Sequence, residues 1–199
     1  NLLKMNIKIE VFSHYLFEEQ CKKDGLNNEN VEQEKNKAFI DIIGTPECLI
    51  YYLDEGNTKH FFENHQNVLN LEFDDISTDV DYDRHIFKTM RMEQAEKAID
   101  FIENMIDNGV TYFRICCRAG FSRSRAFGEW IYRYCQDKGI EVEYEDRNDY
   151  TTILNQGVLR RLNHAYWKKH NINCYANGED YEDELVHPEI RKIYPYGEK

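Results

Sequence analysis

The amino-acid sequence predicts an α/β fold, with a central and mostly parallel sheet flanked by helices. Short apolar runs alternate along the chain with segments of helical period, which is the pattern of strands connected by helices. The clearest such unit spans 110–135, where an apolar run leads through a turn at Gly120 into an amphipathic segment. The chain has 199 residues, of which 41% are hydrophobic, enough for one ordinary core and short for two. We therefore expect one domain over 1–170 and a polar tail or small extension over 171–199.

Three strands are predicted in the first half of the chain. Residues 6–12 alternate apolar and polar side chains, 38–43 form an apolar run that ends in a Gly-Thr-Pro turn, and 68–73 place three large apolar side chains on one face. Between the first two strands, the polar segment 22–37 predicts a surface loop or a short exposed helix. The acidic stretch 76–87 is predicted to be irregular.

Three helices and one further strand are predicted in the second half. Helical period starts near Lys88 and ends at the Asn-Gly pair 108–109. Its apolar stripe consists of Ala95, Ala98, Ile99, Ile102, Met105 and Ile106. Residues 110–116 follow as an apolar run with aromatic and β-branched side chains, which predicts a buried central strand. A second helix is predicted from about Arg123 and a third over about 155–169. The stripe of the second helix consists of Ala126, Phe127, Trp130, Ile131 and Tyr134.

The charge balance and the cysteines limit the classes of partner and compartment. With 25 basic and 37 acidic residues, the net charge is −12 at pH 7, so the chain is a poor sequence-independent binder of nucleic acid or of an anionic membrane. We expect neither as a partner, although a small cationic pocket is compatible with this balance. No apolar run approaches the ~20 residues that a membrane span needs. The six cysteines contain no C-x-x-C pair, which favours free thiols in a reducing compartment and a cytoplasmic location.

The segment 117–124 reads Cys-Arg-Ala-Gly-Phe-Ser-Arg-Ser and lies between the predicted central strand and the second helix. A Cys and an Arg at this spacing are weak evidence of a functional site by themselves. The small and hydroxyl residues between them, and the strand–helix context, make the motif more specific. A loop before a helix N-terminus points backbone N–H groups and the positive end of the helix dipole into one hollow, which suits a phosphate-like anion. The same field favours a thiolate over a thiol, so Cys117 is predicted to be a nucleophile for phosphorus.

Three further residues of the segment have predicted roles beside the sulfur. Arg123 can offer a planar fork to two phosphate oxygens, and Ser124 can donate a hydrogen bond to the sulfur and stabilise it as a leaving group. Gly120 lets the backbone turn without a Cβ clash. The alternative interpretations are a buried structural cysteine at Cys117 and a surface arginine at Arg123, although a cation is disfavoured at a helix N-terminus.

The segment resembles the signature loop of the cysteine-dependent protein tyrosine and dual-specificity phosphatases, whose pattern is H-C-x-x-G-x-S-R-[ST]. Cys117 matches the nucleophile of that pattern, Arg123 the phosphate-clamping arginine and Ser124 the hydroxyl that follows it. The resemblance covers about residues 5–170. It implies the fold of that family, with a catalytic domain over 1–170.

Other features of the loop follow from the same resemblance. It implies that the loop binds phosphate through Arg118, Ala119, Gly120, Phe121 and Ser122. Phe121 is expected on the wall of the pocket, and the segment 153–159 looks like the start of the family's late helix. The sequence departs from the pattern at Cys116, where the family usually has histidine. We expect Cys116 and Cys117 to stay reduced and not to form a disulfide with each other.

The general acid of the family is an aspartate on the loop after the strand that precedes the long helix. Here that strand is 68–73, so the resemblance assigns the acid to Asp75, with Asp74 as the alternative. Such a carboxyl protonates the leaving oxygen and then acts as a base on the hydrolytic water. Three more aspartates are nearer to Cys117 in sequence and stay open as candidates: Asp79, Asp81 and Asp83.

The resemblance therefore implies a phosphomonoester hydrolase that acts through a phosphocysteine intermediate on a phosphorylated protein or peptide. It implies no metal and no cofactor, and the seven histidines show no common zinc spacing. Two alternatives remain open: a phosphatase for phosphoinositides or RNA 5′-phosphates, and an inactive module that only recognises phosphate. Cys116 in place of histidine supports the inactive module, whereas Cys117, Arg123 and an acid candidate support hydrolysis.

Overall fold

The computed structural model describes the chain in five pieces. They are residues 5–46, 59–76, 80–82, 85–146 and 154–172. The predictions for Asp79 and Asp83, for position 153 and for the tail from 173 onward lie outside the described residues.

Five of the strands in the described residues form one parallel sheet. In chain order the strands are β1 Asn6–Ser13, β2 Lys37–Ile43, β3 Val68–Glu72, β4 Val80–Tyr82, β5 His85–Phe87, β6 Tyr112–Cys117 and β7 Glu141–Asp146. The sheet order is β3-β2-β6-β1-β7, while β4 and β5 form a separate antiparallel hairpin. The predicted α/β fold with a parallel sheet is therefore confirmed, and β6 is its middle strand.

Helices cover both faces of this sheet. They are α1 His14–Lys23, α2 Met92–Asp107, α3 Arg123–Asp137 and α4 Gln156–Lys169. Both α2 and α3 pack against α4, and α3 also lies on β1, β6 and β7, whereas α1 packs on β1 and β6. Within the described residues, none of the helices has the length and apolar character needed to cross a bilayer.

The pleat of β6 divides its side chains between two apolar clusters. Phe113, Ile115 and Cys117 join the larger cluster, which includes the buried faces of α2, α3 and α4. Cys116 joins the smaller cluster around Phe17 of α1. Because successive side chains of a strand point to opposite faces, the two neighbouring cysteines lie in different environments.

The elements with a strong apolar pattern are confirmed by the structure. The predicted strands at 6–12, 38–43 and 68–73 appear as β1, β2 and β3, and the run at 110–116 appears as β6 with bounds shifted by up to two residues. All residues of both predicted helix stripes are buried. The helix predicted from near Lys88 begins later, at Met92.

The sequence does not predict α1, β7 or the hairpin of β4 and β5. The buried side of α1 consists of His14, Phe17 and Cys21 alone, which leaves no broad apolar stripe to recognise. Strand β7 reads Glu-Val-Glu-Tyr-Glu-Asp and forms the edge of the sheet, so it lacks the apolar run of a central strand. The prediction that 76–87 is irregular is wrong for β4 and β5, whose three residues each are too short for a clear period.

A buried arginine in the middle strand is neutralised by its neighbours. Arg114 of β6 places Nη2 2.7 Å from Asp24 Oδ2, and its Nε donates to the Tyr112 hydroxyl at 3.0 Å. Its Nη1 donates to Cys21 Sγ at 3.3 Å. The guanidinium is therefore paired and hydrogen-bonded, which is the condition for burying a charge at tolerable cost.

We expect the buried thiol of Cys135 on α3 to make stability pH-dependent in the alkaline range. Burial raises the pKa of this thiol from 9.0 to about 12. The thiol ionises at a lower pH in the unfolded chain than in the folded chain. The stability that this difference contributes is therefore complete below the pKa of the unfolded chain, and it is lost as the pH rises through the pKa of the folded chain. The free energy of unfolding of the native chain should therefore fall more steeply than that of Cys135→Ala between about pH 9 and about pH 12. Urea denaturation of both chains at several pH values measures this, and a gap independent of pH would contradict it.

Candidate active site

The loop 118–122 connects the carboxyl end of β6 to the N-terminus of α3. This is the edge of a parallel sheet at which α/β proteins bind ligands. Gly120 has a φ of 80°, in the left-handed region that residues with a Cβ enter only with strain. Arg118 and Ala119 are exposed, and Phe121 is 37% exposed, so these side chains lie at the rim of the loop.

Cys117 is the last residue of β6 and is buried at the base of this loop. Its Sγ lies 3.0 Å from the Oγ of Ser124, which is the second residue of α3. The serine hydroxyl is thus within hydrogen-bond distance of the sulfur. The structure therefore brings together the two residues that the sequence pairs as nucleophile and supporting hydroxyl.

Arg123 begins α3 and is buried, with 5% of its surface exposed. Its Nη1 donates to the Phe73 carbonyl oxygen at 2.6 Å, and its guanidinium lies over the Phe73 ring at 6.0 Å from the centroid. Its Nε is buried and has no hydrogen-bond partner among the described residues. One edge of the guanidinium is therefore anchored, while a donor on another edge is unused.

Arg123 and Arg114 are both buried, but their electrostatic surroundings differ. Arg114 forms an ion pair with Asp24, whereas no carboxylate pairs with Arg123 in the part of the chain that the structure describes. A buried cation without a counter-charge is costly, and an anion bound beside it would remove that cost. The unused Nε of Arg123 is thus the feature of the site that points to an anionic ligand.

The N-terminus of α3 adds positive potential at the same place. Ser122 occupies the N-cap position and makes no side-chain capping hydrogen bond to the helix. Its hydroxyl instead donates to Asp75 Oδ1 at 2.6 Å. The first turn of α3 is therefore not capped by this side chain, which suits the binding of an anion at the helix end.

Asp75 is held against the loop from two sides. Besides the Ser122 hydroxyl, Asn155 donates its Nδ2 to the same Oδ1 at 2.8 Å. Asn155 is also the N-cap of α4, where its Oδ1 accepts from the Val158 N–H at 3.0 Å. Asn155 is a site residue that the sequence reasoning missed, although its position just before a helical segment marks it as a cap.

Asp74 has a different environment from Asp75. It is buried, and its carboxylate accepts hydrogen bonds from the Thr45 N–H at 2.8 Å, the Thr45 hydroxyl at 2.8 Å and the Lys88 N–H at 2.7 Å. These contacts join the end of β2 to the segment before α2. Asp74 is therefore a structural residue in this arrangement, and Asp75 is the exposed carboxylate beside the loop. Asp81 lies in β4.

A cavity of about 680 Å³ lies at the other end of the sheet, where the strands begin. Its lining contains Glu32, Glu34, Asn67 and Asn104, with Lys35 as its basic residue. The two glutamates in this lining disfavour an anion. The loop after β6 is therefore the better candidate for chemistry.

Comparisons of the chain with protein families, with curated proteins and with solved structures found no match. Three side chains determine which chemistry the candidate site offers. They are a buried thiol at a helix N-terminus, a buried guanidinium with an unused donor, and a carboxylate held by two hydrogen bonds.

The two adjacent aspartates should respond differently to the same substitution. Asp74→Asn places an amide group opposite three donors, and we expect it to lower the free energy of unfolding by about 2–4 kcal/mol. Asp75→Asn affects an exposed carboxylate and should change the free energy of unfolding by less than about 1 kcal/mol. Urea denaturation of both variants beside the native chain tests this assignment. Equal losses for the two variants would show that Asp75 is structural as well.

Proposed function

We propose that the protein is a phosphomonoester hydrolase of the cysteine-dependent protein tyrosine or dual-specificity phosphatase class, with the fold of that class. The observation that carries the proposal is the buried Arg123, whose Nε lacks a partner and which no described carboxylate neutralises. It follows Cys117 by one loop, and the Cys117 sulfur is supported by Ser124 at 3.0 Å. A thiol beside an anion site at a helix N-terminus is suited to attack phosphorus.

In the first step the Cys117 thiolate attacks the phosphorus atom. The sulfur–phosphorus bond forms as the bond from phosphorus to the leaving oxygen breaks. Arg123 can keep Nη1 on the Phe73 carbonyl and present its Nε–Nη2 edge to two phosphate oxygens, which is the bidentate geometry that guanidinium groups favour. The N-terminus of α3 stabilises the same charge.

Asp75 supplies the proton that the leaving oxygen needs. Ser122 and Asn155 fix its Oδ1, so its other oxygen is the one placed to donate to the leaving group. In the second step the ionised Asp75 takes a proton from water, which attacks phosphorus and releases the sulfur. The Ser124 hydroxyl then stabilises the departing thiolate.

The proposed substrate is a phosphorylated protein or peptide. Phe121 at the rim of the loop offers an apolar wall for the group that carries the phosphate. A net charge of −12 disfavours broad contact with nucleic acid or anionic lipid. Cys21, Cys116, Cys117 and Cys135 are free thiols, which supports the proposal of a reducing, cytoplasmic setting.

Hydrolysis of an aryl phosphate and of a phosphotyrosine peptide, with reductant and a chelator present, tests the proposal. We expect turnover by the native chain and none by Cys117→Ala, because the nucleophile is lost. Asp75→Asn should lower kcat by about 10²–10⁴-fold, because the leaving group departs without a proton.

Two matched variants control for effects on folding. Cys135→Ala truncates another buried cysteine and should retain turnover. Asp100→Asn neutralises an exposed aspartate on α2 and should also retain turnover. Equal activity of Cys117→Ala and the native chain would refute the mechanism. If the native chain binds inorganic phosphate without hydrolysing either substrate, the loop is a recognition module and not an active site.

The anchoring role of Arg123 can be tested apart from turnover. Arg123→Lys keeps the charge but loses the planar fork, so we expect the affinity for tungstate to fall by about 10–100-fold. Arg133→Lys, on the same helix and paired with Glu129, should leave that affinity unchanged. Isothermal titration of the three chains measures the difference. Equal affinities for the native chain and Arg123→Lys would exclude a bidentate contact.

A further inference from the structure

A second cluster of donor side chains lies on the face of β6 opposite to Cys117. His14 begins α1, Asp41 lies in β2 and Cys116 precedes Cys117 on β6. All three are buried, and one donor atom of each lies within 4.8 Å of the donor atoms of the other two. Imidazole, carboxylate and thiolate are the donor types that proteins use for zinc.

Two of the three donor–donor distances in this cluster are close to those between neighbouring ligands of one ion. Tetrahedral zinc with bonds of about 2.0–2.3 Å places its donors about 3.3–3.6 Å apart. Here Asp41 Oδ1 lies 3.2 Å from Cys116 Sγ and 3.4 Å from His14 Nε2. The carboxylate oxygen is therefore at ligand spacing from both other donors.

Outer contacts orient two of the three donors as in a metal site. Glu18 Oε1 lies 3.4 Å from His14 Nδ1, so the carboxylate can accept that N–H and leave the Nε2 lone pair for a metal. The second oxygen of Asp41 accepts from the Phe61 N–H at 2.9 Å and lies 3.4 Å from His60 Nδ1. Carboxylate–histidine pairs and bonded carboxylates of this kind are the usual second layer of zinc sites.

The charge of the cluster also favours a cation. Asp41 is fully buried, and neither lysine nor arginine pairs with it in the described part of the chain. One divalent cation with this carboxylate and one thiolate would give a neutral buried group.

We propose that His14 Nε2, Asp41 Oδ1 and Cys116 Sγ bind one zinc ion, with a fourth position for water. The thiol proton of Cys116 is released to solvent when the ion binds, because the thiolate is the ligand. The His60 ring, which lies against the second oxygen of Asp41, has 21% of its side chain exposed. The site is independent of the proposed hydrolysis, since its donors face away from the Cys117 loop.

Cobalt reports this site in the full chain without any assay of activity. The chelator-treated native chain is titrated with Co²⁺ in the absence of oxygen, and then with Zn²⁺. We expect a thiolate-to-cobalt charge-transfer band and the visible bands of four-coordinate cobalt, saturating at a single equivalent and lost when an equivalent of zinc is added. A native chain that shows no thiolate band overturns the proposal.

Variants identify the ligands. Cys116→Ala should abolish the thiolate band, whereas Cys135→Ala, an equally buried cysteine in another core region, should keep it. Cys117→Ser should also keep it, because that sulfur faces the other cluster. His60→Ala should lower the zinc affinity by about 10–100-fold, as expected for loss of a second-layer contact. A band that survives in Cys116→Ala, or that disappears in Cys117→Ser, refutes the assignment.

A measurement on the native chain decides the question if Cys116→Ala fails to fold. Zinc X-ray absorption of the loaded protein should show one sulfur neighbour, with the remaining neighbours nitrogen or oxygen. No sulfur neighbour, or two of them, overturns the proposal. Because no substrate is present, failure of this test leaves the proposed hydrolysis unaffected, and failure of hydrolysis leaves the zinc site unaffected.

Discussion

The parallel pairing of β6 with β1 on one side and β2 on the other is the constraint on which the structure depends. This register places Cys117 opposite Ser13 and Ile42, and Cys116 opposite Phe12 and Asp41. A slip of one residue would exchange the faces of every side chain in the strand. The thiol of the loop, the buried Arg114 and the start of α3 would then all be misplaced. The pairing of β6 with β1 and β2 therefore fixes the position of the carboxyl end of β6, from which the loop starts.

The candidate acid depends on three separate segments that meet at one edge of the sheet. Asp75 follows β3, Ser122 belongs to the loop after β6, and Asn155 caps α4. Asp74 anchors the same segment through hydrogen bonds from Thr45 and from the backbone of Lys88. The two adjacent aspartates thus differ in role, because Asp74 accepts hydrogen bonds from buried donors and Asp75 remains at the surface. This division explains how Asp75 can stay exposed in a segment that is firmly held.

Local sequence patterns made the centre of this fold predictable. Features that depend on contacts between residues far apart in the chain could not be predicted from such patterns. The unit of β6, loop and α3 is contiguous and strongly apolar, so the sequence predicts it together with Cys117, Arg123 and Ser124. Asn155 and Asp75 are 80 positions apart, and Cys116 and Asp41 are 75 apart, so no local pattern connects either pair. The helix α1, which supplies His14, lacks an apolar stripe. Both its presence and its part in the buried cluster therefore require the three-dimensional structure.

The opposite orientation of Cys116 and Cys117 has an evolutionary consequence. Although the two positions are adjacent in the chain, they belong to different sets of interacting residues. Cys117 contacts Ser124 in the first set, whereas Cys116 contacts Asp41, and through it His14, in the second. In a lineage that keeps the proposed reaction, we expect the second set to be free to change as a group while the first stays constant. The codons for positions 116 and 117 would then change independently of each other, although they are adjacent in the gene.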